Sequence, residues 1–239
     1  MNVVDKWLRQ MGALAGRSAY HPKGSRNAEA VAYARRLQRE QKQRDHLEMP
    51  FKKLPVVVFD IETTGFSPKK GDTVLSIGAV KQKETGLEEF YSLVYSETEP
   101  SETVKELTGI TGNMLLEAPP AEEVFTDFLQ FIQGHTLVAH HAKHEKAFME
   151  QTLWTLYRMK FDYRLLDTTF LTRIIDPERQ LHSLEECCDY FNIPSSGRHH
   201  ALEDAKMTYR LWNTCTEHVQ KQGYHTLKDV YSMLARQQH

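Results

Sequence analysis

Cysteine is scarce in this 239-residue chain: Cys187 and Cys188 stand side by side and Cys215 lies well downstream. Three thiols so placed exclude a disulfide framework and a C-x-x-C metal knuckle, and a reducing compartment follows as the simple expectation. Long apolar runs are missing as well, so no segment is expected to span a bilayer. The opening residues, Met1 to Gly16, lack the basic-then-apolar build of a secretory signal. There is no internal repeat and no low-complexity tract. The expectation is a soluble, cytoplasmic protein with no membrane partner.

What is present is enough apolar content, 40%, to bury one good core, or one domain plus an appendage. The net charge of −2 conceals an asymmetry. Residues 1–54 carry twelve Lys/Arg against five Asp/Glu, and the remainder carries eighteen against twenty-seven. A basic arm thus precedes an acidic body. Such an arm can hold phosphates, although a run of charge on a helix is also an ordinary solvated face.

Three regions follow: a basic helical extension over 1–54, a main domain over 55–221 and a helical tail over 222–239. In the extension, Val3, Val4, Trp7, Leu8, Met11 and Leu14 are spaced for an amphipathic helix ending near Gly16. A second helix is expected from about Ala28 to Leu47. Its apolar residues are too few to give it a core of its own, so it is expected to lie on the body, on a partner, or be partly mobile. Pro50 and Pro55 bracket the linker.

The main domain reads as a strand within the stretch Val56–Gly65 and strands at Asp72–Lys81 and Leu87–Tyr95, the last two a hairpin around Lys83-Glu84-Thr85-Gly86. Helices follow at Glu102–Leu107 and Ala121–Ile132, a strand at Thr136–Ala139, a long helix at Lys143–Arg158 and a short strand at Arg164–Leu166. Further helices are expected at Thr168–Ile175, Ser183–Phe191, Ala201–His218 and, in the tail, Leu227–Arg236. A meander followed by alternating helices and strands implies an α/β fold: a mixed five-stranded sheet flanked by helices, with the first strand central.

The first strand carries the first candidate site. Its run Val56-Val57-Val58-Phe59 is β-branched and apolar, as a strand buried on both faces requires, and two acids follow at its outgoing end. Strand side chains alternate, so Asp60 and Glu62 point to the same face, about 7 Å apart at Cα. Two neighbouring carboxylates repel unless a cation lies between them, and hard divalent ions take oxygen ligands. The plainer alternative is a strand end meeting water.

Two more acids stand where apolar residues belong. On the helix from Lys143, Glu145 projects from the stripe Phe148, Met149, Thr152, Leu153 and Leu156. On the helix from Ala201, Asp204 shares a narrow face with Ala201, Ala205, Thr208, Leu211 and Trp212, whose small members allow close approach to the sheet. Helix-start acids also suit the macrodipole, but a buried carboxylate needs a partner. Five residues before Asp204, on a loop opened by Gly197, His199 is a candidate general base.

Phe59-Asp60-Ile61-Glu62-Thr63-Thr64-Gly65, then Val138-Ala139-His140-His141-Ala142 through Phe148, then His199-x-Ala201-x-x-Asp204, together resemble the three motifs of the DEDDh, epsilon-type 3′-5′ exonucleases. Leu75 to Val80, Leu107 to Thr111, Leu166-Asp167-Thr168 and His182-Ser183-Leu184 follow in the family's order. The resemblance covers about Pro55 to Val219 and implies a ribonuclease H-like fold. It implies two Mg2+ or Mn2+ ions held by Asp60, Glu62, Asp204 and Glu145, with His199 as general base. Thr63, Thr64, Gly65, Phe66 and His140 fall at substrate-binding positions. The implied reaction releases nucleoside 5′-monophosphates from single-stranded DNA or RNA 3′ ends, with DNA favoured. No nicotinamide or flavin cofactor is expected, and the N-terminal helices are candidates for docking on a polymerase or another replication or repair protein.

The second motif departs from the family pattern His-Asn-x-x-Phe-Asp: this chain has His141 for Asn, His144 for Phe and Glu145, one methylene longer, for Asp. Two alternatives stand beside the exonuclease reading. His140 and His144, four apart, invite a zinc site, for which no suitable fourth ligand is found. A weak or silent nuclease-fold module could instead bind nucleic acid or a polymerase.

Overall fold

A computed structural model describes residues 24–41, 46–179, 181–195 and 197–237; the helix expected over Met1–Leu14 lies outside them. After helix α1 (Gly24–Gln41) come strands β1 (Val56–Thr63), β2 (Val74–Lys83) and β3 (Gly86–Leu93), and helices α2 (Glu102–Thr108), α3 (Gly112–Leu116) and α4 (Ala121–Phe131). Strand β4 (Thr136–Ala139), helix α5 (Lys143–Tyr157), strand β5 (Leu165–Asp167) and helices α6 (Thr168–Ile175), α7 (Leu184–Tyr190), α8 (Ala201–Lys221) and α9 (Leu227–Gln237) complete it. Among the described residues no helix is long and apolar enough to cross a membrane.

The sheet runs β3-β2-β1-β4-β5, with β1 in the middle. β1 pairs antiparallel with β2 and parallel with β4, and β4 pairs parallel with β5. The meander thus supplies one half of the sheet and the helix-linked strands the other, as the order of elements implied. β2 begins two residues later than expected and β3 ends two earlier. Thr111 caps α3, a five-residue helix that the Gly109-to-Gly112 turn concealed in the sequence.

Strand alternation divides β1 between two cores. Val57, Phe59 and Ile61 face a cluster shared with Phe125 and Phe128 of α4 and Phe148, Met149 and Leu153 of α5. Val56 and Val58 face the other cluster, with Leu171 of α6, Cys187 and Cys188 of α7, and Leu211, Trp212 and Cys215 of α8. The three cysteines are free and buried, packed as small apolar residues.

The second helix of the extension, α1, finds its partner on the body. Ala34 and Leu37 of α1 are buried in the first cluster, and Arg35 Nη2 donates to the carbonyl of Tyr157 at 3.2 Å, at the end of α5. The helix begins four residues earlier than the sequence suggested. On the opposite side α9 places Leu227 and Val230 in the second cluster. The linker is stitched to this tail: Pro50 bridges Thr226, and Phe51 N–H donates to the carbonyl of His225 at 2.9 Å.

Candidate metal centre

Asp60 and Glu62 continue the even-numbered face of β1, the side on which α8 packs. Across the antiparallel ladder Asp60 lies opposite Gly78 and Glu62 opposite Ser76, and the register slips just after Glu62. Gly78 is what allows the site to close. A Cβ there would overlap the backbone of Ala201 and Leu202, so only glycine lets the first turn of α8 lie directly on β2. That turn carries Asp204 down to the two β1 acids. Ligand oxygens of Asp60, Glu62 and Asp204 all lie within 4.8 Å of one another, the one such group of three among the described residues.

Glu145 approaches from α5. Its residue is 4% exposed, and its Oε2 is buried without a hydrogen-bond partner. It stands outside the 4.8 Å group, yet its charge acts on Asp60 more strongly than those of Asp204 and Glu62. Of the four acids marked in the sequence, the structure therefore gathers three and holds the fourth beside them.

These carboxylates are far from comfortable. Burial, then the charges of Glu145, Asp204 and Glu62, hold the Asp60 carboxyl well above its usual range. Glu62 is pushed up to about 7, by burial and then by Asp204. Glu145 rises to about 8, by burial first and then through Asp167 and Glu62. Asp204 is raised by burial, against the pull of Arg198. Acids that want protons this much also want cations. The donor set fits a divalent metal: all ligands are hard oxygens, and Asp204 Oδ1, like Glu145 Oε2, is buried with no partner.

The loop before α8 supplies two further groups. Gly197 (φ 73°) and His199 (φ 63°) both take left-handed backbone, and the His199 N–H donates to Asp204 Oδ2 at 3.3 Å. The half-buried His199 is thereby tied to a carboxylate of the group by its own main chain. Arg198 Nη1 donates to the same oxygen at 2.6 Å. His200 stacks on Tyr91, ring centroids 4.5 Å apart.

The loop after β1 is braced by Asp72. Its carboxylate accepts from Thr64 Oγ1 at 3.2 Å and from the Ser67 N–H at 2.8 Å, and it packs so near Gly65 that a side chain there would collide with it. Thr63 Oγ1 donates to the Gly65 carbonyl and lies 3.5 Å from His144 Nε2. Phe66 is 89% exposed, its ring 5.8 Å from that of His144. Thr63, His144 and Phe66 so lie together at the outgoing end of β1. His140 is deeper: Nδ1 lies 2.7 Å from Thr168 Oγ1, Nε2 has no partner, and burial pushes the imidazole down to about 4. Because His140 follows β4 and His144 rides on α5, the two do not share a helix face, and they join no metal-ligand group of three among the described residues. Of the aromatics from Trp154 to Phe161, Tyr157 and Phe161 are core and Trp154 is exposed.

Asp167 and Arg198 had no role assigned from sequence. The Asp167 carboxylate accepts from the N–H groups of His141 (3.1 Å), Ala142 (3.0 Å) and Thr169 (2.9 Å), fixing the starts of α5 and α6 at once. It is the last residue of β5, whereas Asp60 lies inside β1. An acid following a short apolar strand was the one available signal.

The exonuclease family model RNase_T matches residues 57–212. The DNA polymerase III PolC-type of Caldanaerobacter subterraneus subsp. tengcongensis is 34% identical over 74% of this chain, which covers 13% of that protein. The chain thus spans about an eighth of the length of such relatives. DNA polymerase III subunit epsilon of Aquifex aeolicus is 35% identical over 65% of this chain and 77% of its own. Among solved structures, the nuclease domain of 3′hExo, a DEDDh family member bound to rAMP, superposes with a TM-score of 0.56 at 18% identity, covering 70% of this chain and 92% of its own. That likeness carries the ribonuclease H-like fold.

Proposed function

Given that this chain belongs to the exonuclease family, in its DEDDh, epsilon-type branch, we propose that it is a divalent-metal-dependent enzyme acting on single-stranded 3′ ends and releasing nucleoside 5′-monophosphates. The observation that carries the proposal is the convergence of Asp60, Glu62 and Asp204 within 4.8 Å, with buried, unpartnered oxygens on Asp204 and Glu145. DNA is the preferred polymer, a reading supported by relatives named as DNA polymerase III proteins. Association with a polymerase or another replication or repair protein through the N-terminal extension belongs to the same proposal.

Asp60, Glu62 and Asp204 would hold the metals, Mg2+ or Mn2+, and Glu145 would complete the set from α5. A bound pair of such ions supplies an acidified water and charge stabilisation at the departing 3′ oxygen. His199, whose backbone N–H is bonded to Asp204, would accept the water's proton. Thr63, Thr64 and Gly65 line the entry, and Phe66 packs on the terminal nucleotide. Its exposed ring offers an apolar face beside His144. His140 positions the second motif from below.

The test is mononucleotide release from 5′-labelled single-stranded DNA and RNA in Mg2+, Mn2+ or EDTA, with Asp60→Ala as control. Shortening from the 3′ end only with metal and Asp60 is expected, faster on DNA. Binding of either polymer without cutting under any metal would make the protein a silent nuclease-fold module.

A further inference from the structure

The Arg198 guanidinium sits among the acids. Nη1 donates to Asp204 Oδ2 at 2.6 Å, and Nε is buried with no acceptor. Its charge also reaches Asp60, Glu62 and His140, lowering the proton affinity of each. It is half-buried, whereas Asp204 is buried. The backbone on either side is left-handed, and at His199 that conformation lacks glycine's freedom. Arg198 is thus a single fixed cation on a strained loop, bonded to a carboxylate that the metal needs.

We propose that Arg198 is the resident counter-cation of this site: its guanidinium and a divalent ion compete for the Asp60, Glu62 and Asp204 carboxylates, so metal binds more weakly than the acids alone would hold it. The proposal rests on the metal-dependent reading above. Two effects of removing Arg198 oppose each other. Loss of the clamp lets Asp204 reorient, which weakens metal binding. Loss of a positive charge a few ångströms from a doubly charged ion strengthens it. The second effect wins, because the His199 N–H still holds Asp204 Oδ2 and like-charge repulsion in a buried site is poorly screened. Arg198 and His199 are neighbours on Asp204 Oδ2, so release of the guanidinium would also loosen the loop bearing His199. The same residue keeps the acids compatible with folding when metal is scarce.

The experiment is titration of Mn2+ into the full chain, followed by the electron paramagnetic resonance of the free ion, for wild type, Arg198→Met and Arg198→Lys, with thermal melts in EDTA. Arg198→Met is expected to bind Mn2+ about tenfold tighter or more, to melt lower than wild type in EDTA and to gain more on metal addition. Arg198→Lys keeps the charge but loses the planar fork, and falls between the two. Affinity in Arg198→Met equal to or weaker than wild type overturns the proposal. Should that variant fail to fold, Arg198→Gln, polar but uncharged, decides: tighter binding supports competition, and equal or weaker binding refutes it. A wild type that binds no Mn2+ would instead overturn the metal reading of the site.

Discussion

Replacing Glu62 by Gln should make the protein more stable and less active at the same time. In the fold the Glu62 carboxyl titrates at about 7 against an ordinary value of 4.5. An acid whose folded pKa is raised favours folding in its protonated form. Its destabilising contribution is therefore absent below about pH 4.5, grows as pH rises through the interval, and is complete above about 7. The full difference is on the order of 3 kcal/mol, an upper bound because neighbouring acids titrate together. Gln has the shape of protonated Glu and carries no charge. In EDTA at pH 8, Glu62→Gln should therefore raise the melting temperature, by up to roughly 10 °C for a domain of this size, and at pH 4.5 the two proteins should melt together. With saturating Mg2+ or Mn2+ the order reverses, because wild type gains more from metal than a variant short of one ligand. Circular-dichroism melts at the two pH values, with and without metal, read all of this out. A Glu62→Gln protein no more stable than wild type at pH 8 in EDTA, or equally stabilised at pH 4.5, would refute the account of a strained acid cluster.

Gly78→Ala should be among the most damaging single-methyl changes, costing more than about 3 kcal/mol in denaturant unfolding, since the new Cβ meets the backbone of Ala201 and Leu202; a loss under about 1 kcal/mol would mean that α8 can simply back away. Asp167→Ala leaves three N–H groups at two helix starts without their acceptor, a loss of roughly 2–4 kcal/mol, measurable by the same unfolding and overturned if the variant is as stable as wild type. Glu145→Gln should cut the rate on single-stranded DNA about 100-fold or more, and Glu145→Asp should retain more than about a tenth of it. An Asp variant many-fold faster than wild type would show that the longer arm impairs the site.

Residues whose roles follow from period were legible in the sequence. Alternation put Asp60 and Glu62 on one face of β1, and the 3.6-residue repeat put Glu145 and Asp204 on the buried faces of α5 and α8, where the structure has them. The centrality of β1 followed from its unbroken apolar run. Pairing between distant segments was less accessible. Nothing local to Asp167 says that three N–H groups from two helices converge on it, and nothing local to Arg198 says that its side chain turns back onto Asp204 six residues on. Gly78 looked like an ordinary strand residue, because the helix that lies on it begins at Ala201. The linker's bond to α9 likewise joins residues that only the finished fold brings together.

The packing of α1 and α9 separates two boundaries that are easily taken for one. Family likeness is measured over residues 57–212, yet Ala34 and Leu37 fill one core from before that range and Leu227 and Val230 fill the other from beyond it. A chain trimmed to the recognisable nuclease would keep every acid of the centre and forfeit apolar cover on both sides of the sheet. The smallest piece that resembles the enzyme is thus shorter than the smallest piece that folds as one, and changes to the flanking helices will register first as lost solubility and yield rather than as altered chemistry.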